Sequence, residues 1–267
     1  MIEQNNHTHR EIELINALRR LGGSARSVDL ARMLSVSEET VRRTIKALAK
    51  TGSVARVRGG AYLVGTQNDP GFFQRISEET SEKHSIATCI SGMITDGMTV
   101  FLDACTICEL AAHELRERVD LTVVTNSISV AQTLLSYGDK TVFLLGGEIQ
   151  RHMRGTSGAA SEAQARRFSY DIAVLGADGF SGRQGFLYQN GAEAQLASTV
   201  AQSAERVCLA MVHNNLNKSA PHCGVDLQQA DVLVTDRQPE KDYAVALEIE
   251  ATKVFVADRN EQNDRDE

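Results

Sequence analysis

Apolar residues recur at two different periods along this chain, and the period changes near residue 98. Before it, Ile12, Ile15 and Leu18 are spaced as on one face of a helix, and Leu30, Ala31 and Leu34 make a shorter second helix behind Ser27. Val41, Ile45 and Leu48 form the inward stripe of a third helix. Ser37 is placed to cap that third helix, and Glu38 and Glu39 fall in its first turn, where carboxylates complement the positive end of the helix dipole. Residues 34–37 make the tight turn expected between the two helices of a helix-turn-helix. Beyond Thr51 and Gly52, residues 54–58 alternate apolar and basic side chains before Gly59 and Gly60, the pattern of a strand entering a hairpin turn.

From Met98 onward the pattern changes to short β-rich runs at residues 99–102, 121–124, 141–145, 171–175, 207–211, 232–234 and 254–257, separated by helical spacing. Such runs predict a buried, mostly parallel sheet covered on both faces. The fold class is therefore α/β: a winged helix-turn-helix followed by a Rossmann-like effector domain. Residues 1–64 form the first unit. The turn-rich run GTQNDPG opens a linker and docking helix over residues 65–85, with Phe72, Phe73 and Ile76 before a charged helix that leads to Ile86, Ile90 and Ile94. Residues 86–258 form the effector and oligomerisation domain, and the charged stretch 259–267 is expected to be a disordered tail. The pairs Leu134-Leu135 and Leu144-Leu145 read as core.

Charge divides the chain in the same place. The first 66 residues hold 11 Lys and Arg against 6 Asp and Glu, a net of +5; the rest hold 17 against 29, a net of −12. A whole-chain charge of −7 thus combines a basic head with an acidic body, and nucleic acid is confined to the head because the body repels it. No stretch is apolar enough to span a bilayer and the polar start lacks a secretory signal, so the expected location is cytoplasmic, without a membrane partner. Five cysteines, few and odd in number, point to reduced thiols.

The head carries the chemistry of duplex binding. Arg43, Lys46 and Lys50 lie on a face of the third helix away from its apolar stripe, with Arg42 at the edge, and Ser37 and Thr40 stand at its start. Arg43 and Lys46 are candidates for groove contacts, and Arg56 and Arg58 of the hairpin for the phosphate backbone. A small helical domain with a merely solvated charged face is the plain alternative; cap, turn, basic face and basic hairpin together favour DNA.

In the body, parallel sheets bind ligands at the carboxyl ends of their strands. Asp103 follows the first strand and Thr106 opens the next helix; Thr125, Asn126 and Ser127 follow the second, Gly146 and Gly147 the third, and Gly176, Ala177, Asp178 and Gly179 the fourth. Helix starts and bare amides there suit a small phosphorylated metabolite, with Asp103 and Asp178 for sugar hydroxyls and Arg151, Arg154 or Lys218 for positive charge. The competing reading is that these residues only make turns and caps.

The run VSxxTVRRxxxxLxxxGxVxRVxGGA, residues 36–61, closely resembles the N-terminal signature of the DeoR family of bacterial transcriptional regulators. Thr44 replaces the family's usual Asp, and Arg58 its frequent His. The body resembles the family's effector domain at FLDACT, VVTNS, LLGGE with Arg151 and Gly158, and LGADGF with Gly185. The resemblance implies a relation to sugar-phosphate isomerase and CoA-transferase folds, loops that bind phosphorylated sugars, and release of a repressor from operator DNA. It also brings in departures: Cys105, Thr106 and Ile107 stand where the family has Gly-Thr-Thr, Leu187-Tyr188 replaces Thr-Thr, and residues 211–215 replace Ala-Asp-Ser-Ser-Lys, so Asn215 occupies the lysine position.

The expected activity is thus a repressor of a carbohydrate or polyol operon, working as a homodimer or homotetramer on double-stranded DNA, with no cofactor or metal. Two heads would read half-sites about one helical turn apart, or a multiple of it. Two rivals remain. An isomerase would use Asp103 or Asp178 as base, and a redox or metal sensor would use the Cys105-Thr106-Ile107-Cys108 motif, with His222 and Cys223 as further ligands. His84, His113 and His152 have no partner at ligand spacing and are expected to face solvent.

Overall fold

A computed structural model describes residues 8–20, 24–57, 59–63, 80–135, 139–150 and 152–257. The chain divides into two compact units, Met1–Glu78 and Glu79–Glu267. Most of the linker and the tail, with Arg58 and Arg151, lie outside the described residues.

The head contains α1 (His9–Arg20), β1 (Ser24–Arg26), α2 (Ser27–Leu34), α3 (Glu38–Lys50), β2 (Val54–Val57) and β3 (Gly60–Leu63). Leu14, Ile15, Leu18, Leu30, Val41, Ile45, Leu48 and Val54 bury together as its core. Ile12, expected to point inward, is 47% exposed, and Leu14 takes that place one turn before Leu18. Between α2 and α3, Ser35 adopts φ 54°, and the amide of Val36 returns to the carbonyl of Ala31 at 3.0 Å, which closes the turn. The three strands run in the order β1-β3-β2. The Ser-Ala-Arg strand β1 is too short and too polar to show in the sequence pattern. It crosses Gly60 so closely that a Cβ there would meet the carbonyl oxygen of Ala25. The left-handed Gly59, φ 79°, accepts from the Ser27 amide at 2.7 Å and ties the hairpin turn to the start of α2.

The body is built on one seven-stranded parallel sheet whose strands are the seven apolar runs of the sequence. They are β4 (Thr99–Leu102), β5 (Thr122–Thr125), β6 (Thr141–Leu144), β9 (Ile172–Gly176), β12 (Val207–Ala210), β14 (Val232–Thr235) and β15 (Lys253–Val256). Across the sheet they stand in the order β15-β14-β12-β9-β4-β5-β6. Alternate residues feed opposite faces. Val100, Leu102, Val123, Ile172 and Val174 bury against α4 (Thr80–Met93), α5 (Thr106–Glu114) and α6 (Ile128–Leu135). Phe101, Val124, Ala173 and Leu175 face the other core, with α8 (Gly191–Ala201). The helix α4, with Ile86, Ile90 and the following Ile94 fully buried, thus belongs to the core of the body. No helix among the described residues is long and apolar enough to cross a membrane.

The remaining body elements lie between these strands: the hairpin β7 (Glu148–Gln150) and β8 (Gly155–Ser157), the helix α7 (Ala159–Ala165), and the antiparallel β10 (Gly179–Ser181), β11 (Gly185–Tyr188) and β13 (His222–Val225), with α9 (His213–Leu216) and α10 (Lys241–Ile249). The two leucine pairs each divide. Leu134 and Leu145 are buried, but Leu135 is 73% exposed and Leu144 47% exposed. The physical reason is position: β6 is an edge strand, and Leu135 is the last residue of α6, past the stripe that faces the sheet.

The order of strands fixes where the chain reverses. From β4 it steps outward through β5 to β6, then returns to place β9 on the other side of β4 and continues through β12, β14 and β15. The reversal lies between the carboxyl ends of β4 and β9, the position at which open α/β sheets leave a crevice.

Candidate functional site

In the head, the side chain of Ser37 accepts the Thr40 amide at 3.2 Å, so α3 starts at a fixed point. Its apolar stripe then leaves Arg42, Arg43, Lys46 and Lys50 exposed. Thr40 contacts the Ser37 hydroxyl at 2.9 Å. Arg42 pairs with Glu38 at 3.3 Å and Arg43 with Glu39 at 3.2 Å, both across one exposed helical turn. Pairs of this kind contribute about 0.3–0.5 kcal/mol, little enough to exchange for phosphate oxygens. Arg56 is exposed on β2.

In the body, Asp103 bridges the reversal point. One carboxylate oxygen accepts the Ala104 amide at 2.8 Å and the other the Gly176 amide at 3.2 Å, joining the ends of β4 and β9. Burial pushes its carboxyl up to about 6; the Glu193 charge adds to the rise, while the two amides and the Asn126 side chain oppose it. Cys105 is the N-cap of α5, its sulfur accepting the Cys108 amide at 3.3 Å. A Cβ on Gly176 would run into the Cys105 side chain, so the glycine lets the two loops close.

The other residues named from the sequence divide between lining this crevice and holding its walls. Thr125 donates to the Leu102 carbonyl at 2.6 Å and accepts from the Ser127 amide at 2.9 Å, and the Ser127 hydroxyl accepts the Val130 amide at 3.2 Å: turn and cap. The Gly146 amide is taken by Gln164 at 3.0 Å, and Gly147, φ 144°, lies against Ser157 and Ser161. Asp178 accepts the Gln189 amide at 2.8 Å, and Gly179 packs on the carbonyl of Lys218. Thr106 is buried at the start of α5. Asn126 is fully buried; its amide nitrogen donates to the Thr156 carbonyl at 3.2 Å, and its side-chain oxygen has no partner.

Further polar groups of the body lie around the strand ends; of these, Tyr188 and Asn215 stand out in the sequence only as departures from the family pattern. Tyr188, 3% exposed, has an unpartnered hydroxyl, and burial and then the charges of Asp103, Asp178, Cys105 and Glu193 push its ionisation up. Ser157 is likewise buried with a free hydroxyl. Glu193 binds His152 at 2.6 Å across 41 residues, so His152 is partnered rather than simply solvated. Asn215 holds the ammonium of Lys218 at 2.9 Å and reaches the Ala177 carbonyl at 3.4 Å, which brings a cation to the end of β9. His213 sits beside Asp236 at 2.7 Å where β12 and β14 end. His84 and His113, expected in solvent, are half-buried. Among the described residues no group of three or more His, Cys, Asp or Glu is arranged to hold a metal ion.

Comparison with known proteins gives the same two parts. Residues 10–67 match the DeoR-like helix-turn-helix domain, and residues 78–237 match the DeoR C terminal sensor domain. The chain is 28% identical over 233 residues to the HTH-type transcriptional repressor GlcR of Bacillus subtilis, covering 87% of this chain and 90% of that protein. It is 29% identical over 217 residues to the Glycerol-3-phosphate regulon repressor of Escherichia coli, covering 81% and 86%. A ribose 5-phosphate isomerase A from Methanocaldococcus jannaschii superposes on 52% of this chain and 55% of its own, at 17% identity and a TM-score of 0.39, too loosely to carry an argument.

Proposed function

We propose that this chain, which belongs to the DeoR family of transcriptional regulators, represses a carbohydrate or polyol catabolic operon and changes its affinity for DNA when a small phosphorylated metabolite enters the crevice between β4 and β9. The observation that carries the first half is the Ser37-capped α3, rigidly packed on one face and cationic on the other. It is a regulator and not an enzyme, as its relatives named repressors indicate. Arg43 and Lys46 enter the major groove, with Ser37, Thr40 and Arg42 beside them. Arg56 and Arg58 hold the phosphate backbone.

For the metabolite, the start of α5 offers the positive end of a helix, and Lys218 supplies the ammonium that the family places at residue 215. Asp103, Asp178 and Tyr188 take hydroxyl groups. The exposed Phe143 and Leu144 on the edge strand β6 support self-association, which places two heads on one operator in the cytoplasm.

Thermal-shift screening of the full chain against phosphorylated sugars and polyols, each beside its unphosphorylated form, tests the second half. A shift from a phosphorylated compound that falls about tenfold in affinity with Lys218→Ala supports it. Shifts given only by unphosphorylated compounds, or an affinity indifferent to Lys218→Ala, contradict it.

A further inference from the structure

We infer that Cys105 and Cys108 form a redox-active dithiol in the wall of the crevice, converted reversibly to an intramolecular disulfide by hydroperoxides. None of the five cysteines is held in a disulfide, and this pair is arranged for such chemistry. Cys105 has extended backbone, φ −114° and ψ 158°, at the N-cap of a nine-residue helix, and its sulfur accepts the Cys108 amide at 3.3 Å. The Cys105 sulfur thus stands at the start of the helix with a main-chain N–H directed at it, three residues ahead of the second thiol on the same helical turn.

The two cysteines differ in access. Cys105 is partly exposed, whereas Cys108 is fully buried and donates to the Val174 carbonyl at 3.5 Å. Burial, reinforced by Cys105 and by the Asp103 charge, holds the Cys108 thiol well above the usual range. An oxidant from solvent therefore meets one sulfur first, and the second waits behind it. The remaining thiols stand on other elements: Cys89 half-buried on α4, Cys208 buried on β12 and Cys223 exposed on β13.

The reaction balances without a metal. The Cys105 thiolate sulfur attacks one oxygen of hydrogen peroxide and the O–O bond breaks; the hydroxide released is protonated to water, leaving Cys105 as sulfenic acid. The Cys108 sulfur, losing its proton, then attacks the Cys105 sulfur. The S–O bond breaks, and the hydroxide leaves with that proton as a second water. Two thiols and one peroxide yield one disulfide and two waters, and a dithiol reductant reverses the change by exchange. Because Cys105 borders Asp103 and Gly176, the disulfide forms in the wall that a ligand of the crevice would touch.

The test uses the reduced full-length protein, hydrogen peroxide in stepwise excess, alkylation of the remaining thiols and peptide mapping without reductant. The expected result is loss of two hydrogen atoms from the peptide that holds Cys105 and Cys108 while Cys223 is still alkylated, with both thiols restored by dithiothreitol. In Cys108→Ser, Cys105 should persist as sulfenic acid and react with dimedone; in Cys105→Ser, Cys108 should stay unlabelled. Oxidation of Cys223 before the pair, a Cys105 disulfide between two chains, or no dimedone adduct at Cys105 in folded Cys108→Ser would overturn the inference.

Discussion

The head and the body hold their polar groups in opposite ways. In α3, Arg42 and Arg43 lie in water, each joined to a glutamate one turn away. In the body, the side-chain oxygens of Asn126, Ser157 and Tyr188 are buried and have no partner. An exposed ion pair contributes a few tenths of a kcal/mol, whereas a buried polar atom left unpaired costs about 1–3 kcal/mol. The first arrangement suits a surface that trades partners with a long polyanion. The second suits a site whose hydrogen bonds are completed by one small ligand.

The comparison is broken most severely through the two cores. Leu48→Ala should cost the head about 2–5 kcal/mol and Phe101→Ala the body about 3–5 kcal/mol. Leu48→Ala should abolish DNA binding while a phosphorylated ligand still stabilises the body; Phe101→Ala should abolish the ligand response and leave a folded head that binds DNA only weakly, for want of a partner copy. Loss of both functions in both variants, measured on the same preparations, would show that the two units do not fold separately.

Asp103 gives the next effect, and its sign follows from the raised carboxyl. With a folded value of about 6 against an ordinary 3.8, the folded body binds more protons than the unfolded chain between those values. Stability is therefore greatest below about pH 4 as far as this group is concerned, falls as pH rises towards 6, and stays reduced above it. Asp103→Asn should flatten that part of the stability profile in chemical denaturation. An unchanged profile would remove the carboxyl from the buried crevice.

Smaller changes sharpen the account of the head. Ser37→Ala removes the cap and should cost about 1 kcal/mol in the head alone, seen as faster amide exchange in α3. Glu39→Gln frees Arg43 from its partner and should raise affinity for random DNA about two- to threefold in an anisotropy titration. A weaker complex would mean that Glu39 holds Arg43 in its binding pose.

Much of the fold is legible in the sequence because parallel strands buried on both faces must be continuous apolar runs. The runs ending at Leu102, Leu175 and Val234 show it, and Asp103 marks the crevice simply by following the first of them. Ser37 is legible because capping is local. Ile12, Leu135 and Leu144 mislead because an apolar residue beside a core residue looks like core in one dimension; the edge of the sheet and the end of a helix are tertiary facts. For a related reason Tyr188 and Asn215 stand out in the sequence only as departures from the family pattern, with no sign of what they touch, and Glu193 not at all. They reach Asp103, His152 and Lys218 through the fold, and of these only the Asn215–Lys218 pair lies within helical spacing.

The division of labour between a cationic head and a polar crevice is tested most directly by a salt titration of DNA binding. With the DNA upstream of its own gene, the full chain should lose affinity steeply between about 50 and 200 mM salt. The triple variant Arg42→Ala, Arg43→Ala, Lys46→Ala should bind about a hundredfold more weakly, with a slope shallower by about one for each phosphate that is no longer neutralised. A triple variant with the affinity and slope of the parent would contradict the assignment of α3 as the DNA-binding surface.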